Sequence, residues 1–206
     1  MDTPGVVVQR LPLYLRCVKA LQEQGERVTS SQDMADHLGL SSAQIRKDLS
    51  HFGEFGKQGM GYDLAYLREQ LERILHLDRR WDMVLVGAGD LGHALIRSGD
   101  FVQRGFRIVA VFDADPRKIG QPLGSLIVQD VAKLSRTIRE LGVQIAILAV
   151  PAGVAQEVAS GLAEAGIKAI LNYAPVSLNL PPDIQVGYVD PLVLLQSMTY
   201  YLCPGE

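Results

Sequence analysis

Residues 83–92, Met-Val-Leu-Val-Gly-Ala-Gly-Asp-Leu-Gly, constrain the fold more than any other stretch of the chain. Four apolar residues run without interruption into a glycine-studded turn, and a helical pattern follows. An unbroken apolar run suits a strand buried on both faces, the setting of a parallel sheet. Further runs of this kind stand at Ile108–Phe112, Ile145–Val150 and Ala169–Leu171, with helical segments at Leu91–Ile96, Val131–Leu141 and Val154–Ala165. Strand alternating with helix predicts right-handed βαβ crossovers, hence an α/β parallel-sheet domain. A last segment, Leu192–Leu202, predicts a helix too apolar to stand exposed, one that packs on this domain or on a partner chain.

Before residue 80 the pattern is different. Leu11, Tyr14, Leu15, Val18 and Leu21 give a helical stripe from Leu11 to Glu23. Ser30 with Asp33 three residues on reads as a capping-box start, Gly39 as the stop of that helix, and Ser41 or Ser42 as the cap of the next. Helix, glycine turn, helix at this spacing is helix-turn-helix geometry. In the run Ile45–Tyr62, Ile45, Leu49 and Phe52 share the inward face, leaving Arg46, Lys47, Ser50 and His51 outside. The helix is expected to break at Gly53 and lead into a small basic hairpin holding Lys57, Gln58 and Gly59, the wing of a winged helix-turn-helix. This layout predicts a DNA reader. Tyr62–Leu77 is expected as a further amphipathic helix, and Asp78–Arg80 as the joint between domains at 1–80 and 81–190.

Gly87-Ala-Gly-Asp-Leu-Gly92 has the Gly-x-Gly-x-x-Gly spacing in the strand–turn–helix context that a dinucleotide site needs. Its glycines allow a tight turn and close approach of backbone to pyrophosphate, while the helix start supplies amides and partial positive charge. Asp113, 21 residues past Gly92, is placed to accept the adenosine ribose hydroxyls and to repel a 2′-phosphate, which favours NAD(H). Asp90 is the discordant residue. At about 4 Å a carboxylate and a phosphate charge repel by roughly 4 kcal/mol in an effective dielectric near 20, before solvent screening. Rotation towards water or pairing with a base would lower that figure.

Chemistry beyond binding is poorly supplied. The chain has four histidines, with His37 and His51 in the DNA-reading segment, His76 in the linking helix and His93 after the glycine loop. It contains no Tyr-x-x-x-Lys pair and no metal-ligand spacing, so a binding protein is favoured over a dehydrogenase. Cys17 and Cys203 stand at opposite ends and read as idle thiols. No stretch approaches the roughly 20 apolar residues that span a bilayer, and the N-terminus does not read as a signal peptide, which predicts a cytoplasmic protein. The net charge of −3 divides unevenly: residues 1–80 carry 11 basic and 11 acidic side chains, residues 81–206 carry 9 and 12. Affinity for DNA must then come from local contacts rather than a global field.

The motifs Arg46-Lys-Asp-Leu-Ser-His-Phe-Gly53, Phe55-Gly-Lys-Gln-Gly-Met-Gly-Tyr62, Gly87–Gly92, Phe112-Asp-Ala-Asp-Pro116, Val150-Pro151 and Leu171-Asn-Tyr-Ala-Pro175 occur in order along nearly the whole chain. Together they resemble the Rex family of redox-sensing transcriptional repressors. The resemblance implies a homodimer with a domain-swapped C-terminal helix (191–206), bound to double-stranded operator DNA at low NADH/NAD⁺ and released by NADH. It implies DNA contacts from Arg46, Lys47, Ser50 and His51, with Lys57, Gln58 and Gly59 at the minor groove. A nucleotide site of Gly87, Ala88, Gly89, Asp90, Leu91, Gly92, Asp113, Val150 and Pro151 is implied as well, with Arg16 and Asp190 coupling the domains. The family often has Tyr at the position of His51 and Arg at Gln58. It has Arg or Asn at Asp90, often Tyr at Ser98, and Phe at Pro191. The last three departures share one pocket, which motivates an alternative: a repressor of the same fold whose NADH response is weakened or lost. A small NAD-dependent oxidoreductase is the third reading, motivated by the fingerprint alone.

Overall fold

The computed structural model describes residues 3–57 and 60–202. The chain divides into two compact units, residues 1–79 and 80–206.

The first unit opens with α1 (Gly5–Glu23). This helix starts six residues before the predicted Leu11, across the β-branched run at residues 6–8, and holds Pro12 in its interior. Pro12 removes one hydrogen bond, but it faces solvent while Val7, Leu11, Tyr14, Leu15, Val18 and Leu21 are all buried, and that burial overrides local propensity. After β1 (Val28–Thr29), α2 (Ser31–Leu38) begins in the expected capping box of Ser30 and Asp33 and ends at Gly39 with φ +65°. Ser41 caps α3 (Ser42–Ser50), accepting a hydrogen bond from the Gln44 amide. β2 (Gly56–Lys57) and β3 (Gly61–Asp63) form the wing, and β3 also pairs antiparallel with β1. α4 (Leu64–Ile74) starts later than predicted, because Tyr62 is drawn into β3 and Asp63 caps the helix through the Tyr66 amide. Leu11, Tyr14, Met34, Ile45, Leu49, Leu64, Leu67 and Leu71 fill the core of this unit.

The second unit runs β4 (Trp81–Val86), α5 (Asp90–Arg97), α6 (Asp100–Gln103), β5 (Phe106–Asp113), β6 (Pro122–Leu123), β7 (Leu126–Asp130), α7 (Leu134–Leu141), β8 (Ile145–Leu148), α8 (Ala152–Ala165), β9 (Ala169–Asn172), β10 (Gln185–Tyr188) and α9 (Pro191–Leu202). The sheet order is β10-β9-β8-β4-β5-β7-β6, parallel throughout except for β6 against β7. Numbering the parallel strands by sequence, this is the Rossmann order 3-2-1-4-5-6, and the topological switch falls between β4 and β8. Alternate residues of β4 serve the two faces. Val84 and Val86 pack towards Ile138, Ala155, Ala159 and Leu162 of α7 and α8, while Met83 and Leu85 pack towards Leu95, Ile96 and Phe101 of α5 and α6.

Of the two expectations for the last helix, packing on its own domain is not what the single chain shows. None of its side chains is buried, and Leu192, Leu195 and Tyr201 are 63%, 56% and 77% exposed. Among the described residues of one copy, nothing buries this apolar helix.

Candidate functional site

α3 is built so that its two faces part cleanly. Ile45 and Leu49, four residues apart, are buried at 0% and 2% exposure, and Arg46, Lys47, Ser50 and His51 are exposed. The four predicted contact residues therefore sit together. Arg46 Nη1 donates to Ser31 Oγ at the start of α2 (2.9 Å), and Ser50 Oγ donates to the Lys47 carbonyl (2.8 Å). A groove of about 890 Å³ lies beside them, lined among others by Ser31, Arg46, Ser50, Gly56 and Tyr62. Lys57 belongs to the wing strand β2. Gln58, Gly59 and Cys203 lie outside the described residues.

Asp48, on the same helix, is fully buried. Its Oδ2 accepts from Arg10 Nε (2.6 Å) and the Tyr14 hydroxyl (2.5 Å), and its Oδ1 accepts from Arg10 Nη2 (2.8 Å) and Gln44 Nε2 (2.6 Å). Burial pushes the Asp48 carboxyl up, but these donors outweigh it and hold the group below the ordinary carboxylate range. Tyr14, desolvated and tied to a carboxylate, is pushed up to about 12. The sequence reading missed this cluster; the available clue was that Asp48 stands three residues after Ile45 and beside Leu49, on the inward side.

In the second unit the three loop glycines play different parts, and close backbone contact requires two of them, Gly87 and Gly92. A Cβ on Gly87, where φ is +107°, would meet the Ala149 carbonyl oxygen at 2.2 Å, so the turn passes hard against the end of β8 and Val150. A Cβ on Gly92 would meet the Gly87 carbonyl oxygen at 2.2 Å, so the helix packs directly on the turn. Gly89, the N-cap of α5, has nothing within 4 Å of its Cβ position. Its backbone is open to a ligand at a helix N-terminus, and these are the roles the three glycines play around a pyrophosphate. The residues present fit a dinucleotide.

Asp113 ends β5 and reaches back to the loop. Its Oδ2 accepts from the Ala88 amide (2.8 Å) and Lys118 Nζ (2.9 Å), and its Oδ1 accepts from the Asp115 amide (2.9 Å). Burial raises this carboxyl, and the Asp115 amide, Lys118 and the Ala88 amide together bring it below its ordinary value. Lys118 is a neighbour that the sequence reading did not assign. Asp90 and Leu91 are exposed on the first turn of α5, and Pro151 is the N-cap of α8. Arg16 is exposed on α1 in the first unit, and Asp190 in the second caps α9 through the Leu192 amide (3.0 Å). A cleft of about 590 Å³ bounded by Asp82, Arg107, Phe101 and Leu126 opens at the starts of β4 and β5. Ligands of such sheets bind at the carboxyl ends of the strands, so this cleft is not the nucleotide site. Among the described residues there is no group of three or more His, Cys, Asp or Glu side chains able to hold a metal ion, and no helix is long and apolar enough to cross a membrane.

A winged helix-turn-helix joined to a Rossmann unit with an intact phosphate loop defines a ligand-responsive DNA-binding regulator. Residues 2–50 match the family model for a putative DNA-binding protein N-terminus, and residues 78–176 match that for a CoA binding domain. The redox-sensing transcriptional repressor Rex of Chloroflexus aggregans is 53% identical over 97% of this chain and 94% of its own length. That of Streptomyces coelicolor is 43% identical over 96% of this chain and 77% of its own length. The solved structure of RSP in complex with NAD⁺ and operator DNA superposes with a TM-score of 0.92 at 35% identity, covering 98% of this chain and 93% of that one. RSP in complex with NADH gives a TM-score of 0.88 at 33% identity, covering 98% and 95%. The chain belongs to the Rex family of redox-sensing transcriptional repressors, a family of regulators rather than enzymes.

Proposed function

We propose that two copies of this protein bind operator DNA through α3 and the wing when NADH is scarce, and let go when NADH occupies the Gly87–Gly92 loop. The observation that carries this is the presence, in one chain, of an exposed Arg46–Lys47 pair on a recognition helix and an open Gly89 backbone at a Rossmann switch point. Arg46 and Lys47 meet phosphates and base edges in the major groove, with Ser50 and His51 beside them, and Lys57, Gln58 and Gly59 reach the minor groove. Gly87 to Gly92, with Val150 and Pro151 alongside, hold the pyrophosphate, and Asp113 receives a ribose hydroxyl on the one acceptor site that its three internal donors leave open. NADH acts as a ligand whose abundance reports the redox state; no hydride is transferred.

The second copy covers α9, whose leucines, Met198 and tyrosines are otherwise left in water. Arg16 on α1 and Asp190 at the head of α9 are the candidate residues for passing the state of one unit to the other. The cytoplasm, where both NADH and DNA are found, is the proposed location. A gel-shift on a duplex selected by the protein from a randomised pool tests the reading: NADH should release the DNA and NAD⁺ should not. Retention at every NADH concentration would favour the second reading, a repressor with a blunted response. Behind that reading stand Asp90, Ser98 and Pro191, and above all the exposed carboxylate of Asp90 on the first turn of α5, which has no partner among the described residues.

A further inference from the structure

The helix that reads DNA is short, and its apolar grip on the fold is narrow. α3 has nine residues, and Ile45 and Leu49 are its only buried apolar side chains. Two side chains four residues apart form one stripe, which holds a helix down without fixing its rotation about its own axis. Rotation matters for reading. A side-chain tip about 6 Å from the axis moves about 1 Å for a roll of roughly 10°, enough to spoil a bidentate contact to a base edge.

Asp48 stands beside Leu49, on the flank of that stripe. Its two oxygens receive four donors, two from Arg10 and one each from Tyr14 and Gln44, which fills the acceptor capacity of a carboxylate. Arg10 and Tyr14 both come from α1, one turn apart. The Arg10 guanidinium meets the carboxylate with a planar two-bond fork, the contact that fixes orientation as well as distance. Buried ion pairs add little net stability compared with well-packed apolar side chains of the same volume, and in some proteins their role is to select one geometry among several. The pair also holds the Asp48 carboxylate inside the unit, away from the exposed face that carries Arg46 and Lys47.

We propose that Arg10 and Tyr14 are positioning residues for DNA recognition, clamping α3 through Asp48 so that Arg46, Lys47 and Ser50 meet the major groove at one fixed roll. The proposal rests on the assignment of α3 as the reading helix.

The test uses the full-length protein, a duplex selected by the unsubstituted protein from a randomised pool, and a scrambled duplex of equal length. The double variant Arg10→Met, Asp48→Leu replaces the pair by apolar side chains. If the clamp sets the roll, this variant keeps its urea midpoint, its NADH affinity and its binding to scrambled DNA, while discrimination between the two duplexes falls about tenfold or more. Undiminished discrimination in a folded double variant overturns the clamp, leaving the pair as packing. Arg10→Lys keeps the charge and loses the fork, and Tyr14→Phe loses one donor. Should the double variant not fold, these two carry the same expectation at smaller size, with a salt slope equal to that of the unsubstituted protein, since no phosphate contact has been removed. Arg46→Ala is measured alongside. If it reads the selected duplex as well as the unsubstituted protein does, the assignment of α3 itself fails, and the clamp with it.

Discussion

In residues 1–79 the groups offered to a ligand are side chains, and in residues 80–206 they are backbone. Arg46, Lys47 and Ser50 stand exposed on α3 with His51 as its C-cap, and the polar groups beneath them, Asp48, Arg10 and Tyr14, are spent on each other. The glycine loop inverts this arrangement. Its side chains are absent by necessity at Gly87 and Gly92, the space over Gly89 is open, and the carboxylate at the end of β5, Asp113, is already tied to the loop through Ala88. Side-chain recognition is retuned by single substitutions that leave the fold alone. Backbone recognition has no such freedom, because the residues that make the site also make the turn. The first unit can change which DNA it reads far more cheaply than the second can change what it senses.

The sharpest way to break this contrast is to add one carbon. Gly87→Ala places a Cβ 2.2 Å from the Ala149 carbonyl oxygen at φ +107°, and is expected to destabilise the second unit by about 3 kcal/mol and abolish NADH binding in calorimetry. Survival of both would mean the loop is not backbone-determined. In the first unit, Asp48→Ala leaves Arg10 and Tyr14 without their acceptor and should lower urea stability by about 3 kcal/mol, a fold effect in a unit whose contact residues otherwise tolerate change. Arg46→Ala and Lys47→Ala should each weaken operator binding by about 1–3 kcal/mol with folding and NADH affinity unchanged, and a phosphate contact among them would reduce the salt slope by about 1.

Acidity and alkalinity sharpen the comparison further. Asp48 and Asp113 are both depressed, so each unit holds its contribution above the ordinary Asp value of about 3.9 and loses it as pH falls below. Tyr14 is raised to about 12, so its contribution is complete below the ordinary value of about 10 and disappears as pH climbs towards about 12. Tyr14→Phe should flatten that alkaline limb in a pH series of urea melts; an unchanged limb would remove Tyr14 from the clamp. The smallest expected effect is at Asp90. It is exposed, and screening cuts the repulsion to a fraction of its unscreened value, so Asp90→Asn should tighten NADH by about two- to fivefold. No change would show that the carboxylate turns away from the pyrophosphate.

Much of this was legible in the sequence because its signals are local. The apolar run of β4, the glycines after it, Asp113 at the end of β5, and the caps at Ser30, Ser41 and Gly39 each depend on a few adjacent residues. What escaped depends on partners far along the chain. Asp48 meets Arg10 across 38 residues, and its place beside Leu49 on the inward side of α3 hints at burial without naming the partner. The early start of α1 reverses local propensity through burial of Val7 and Leu11 against the rest of the unit. β6, β7 and β10 are short and lie at or next to the sheet edges, with pairings instead of apolar runs to define them. The apolar pattern of α9 was legible, and its exposure in the single chain agrees with a helix expected to pack on a partner chain.

The claim on which the rest depends is that NADH and operator DNA compete through one protein. Coupling of this sort is reciprocal: the factor by which NADH weakens operator binding must equal the factor by which operator weakens NADH binding. The direct measurement is the NADH dissociation constant with and without saturating selected duplex. A weaker NADH affinity on the DNA complex, by the same factor seen in the reverse titration, is the predicted result. An identical NADH affinity in the two states would contradict the account.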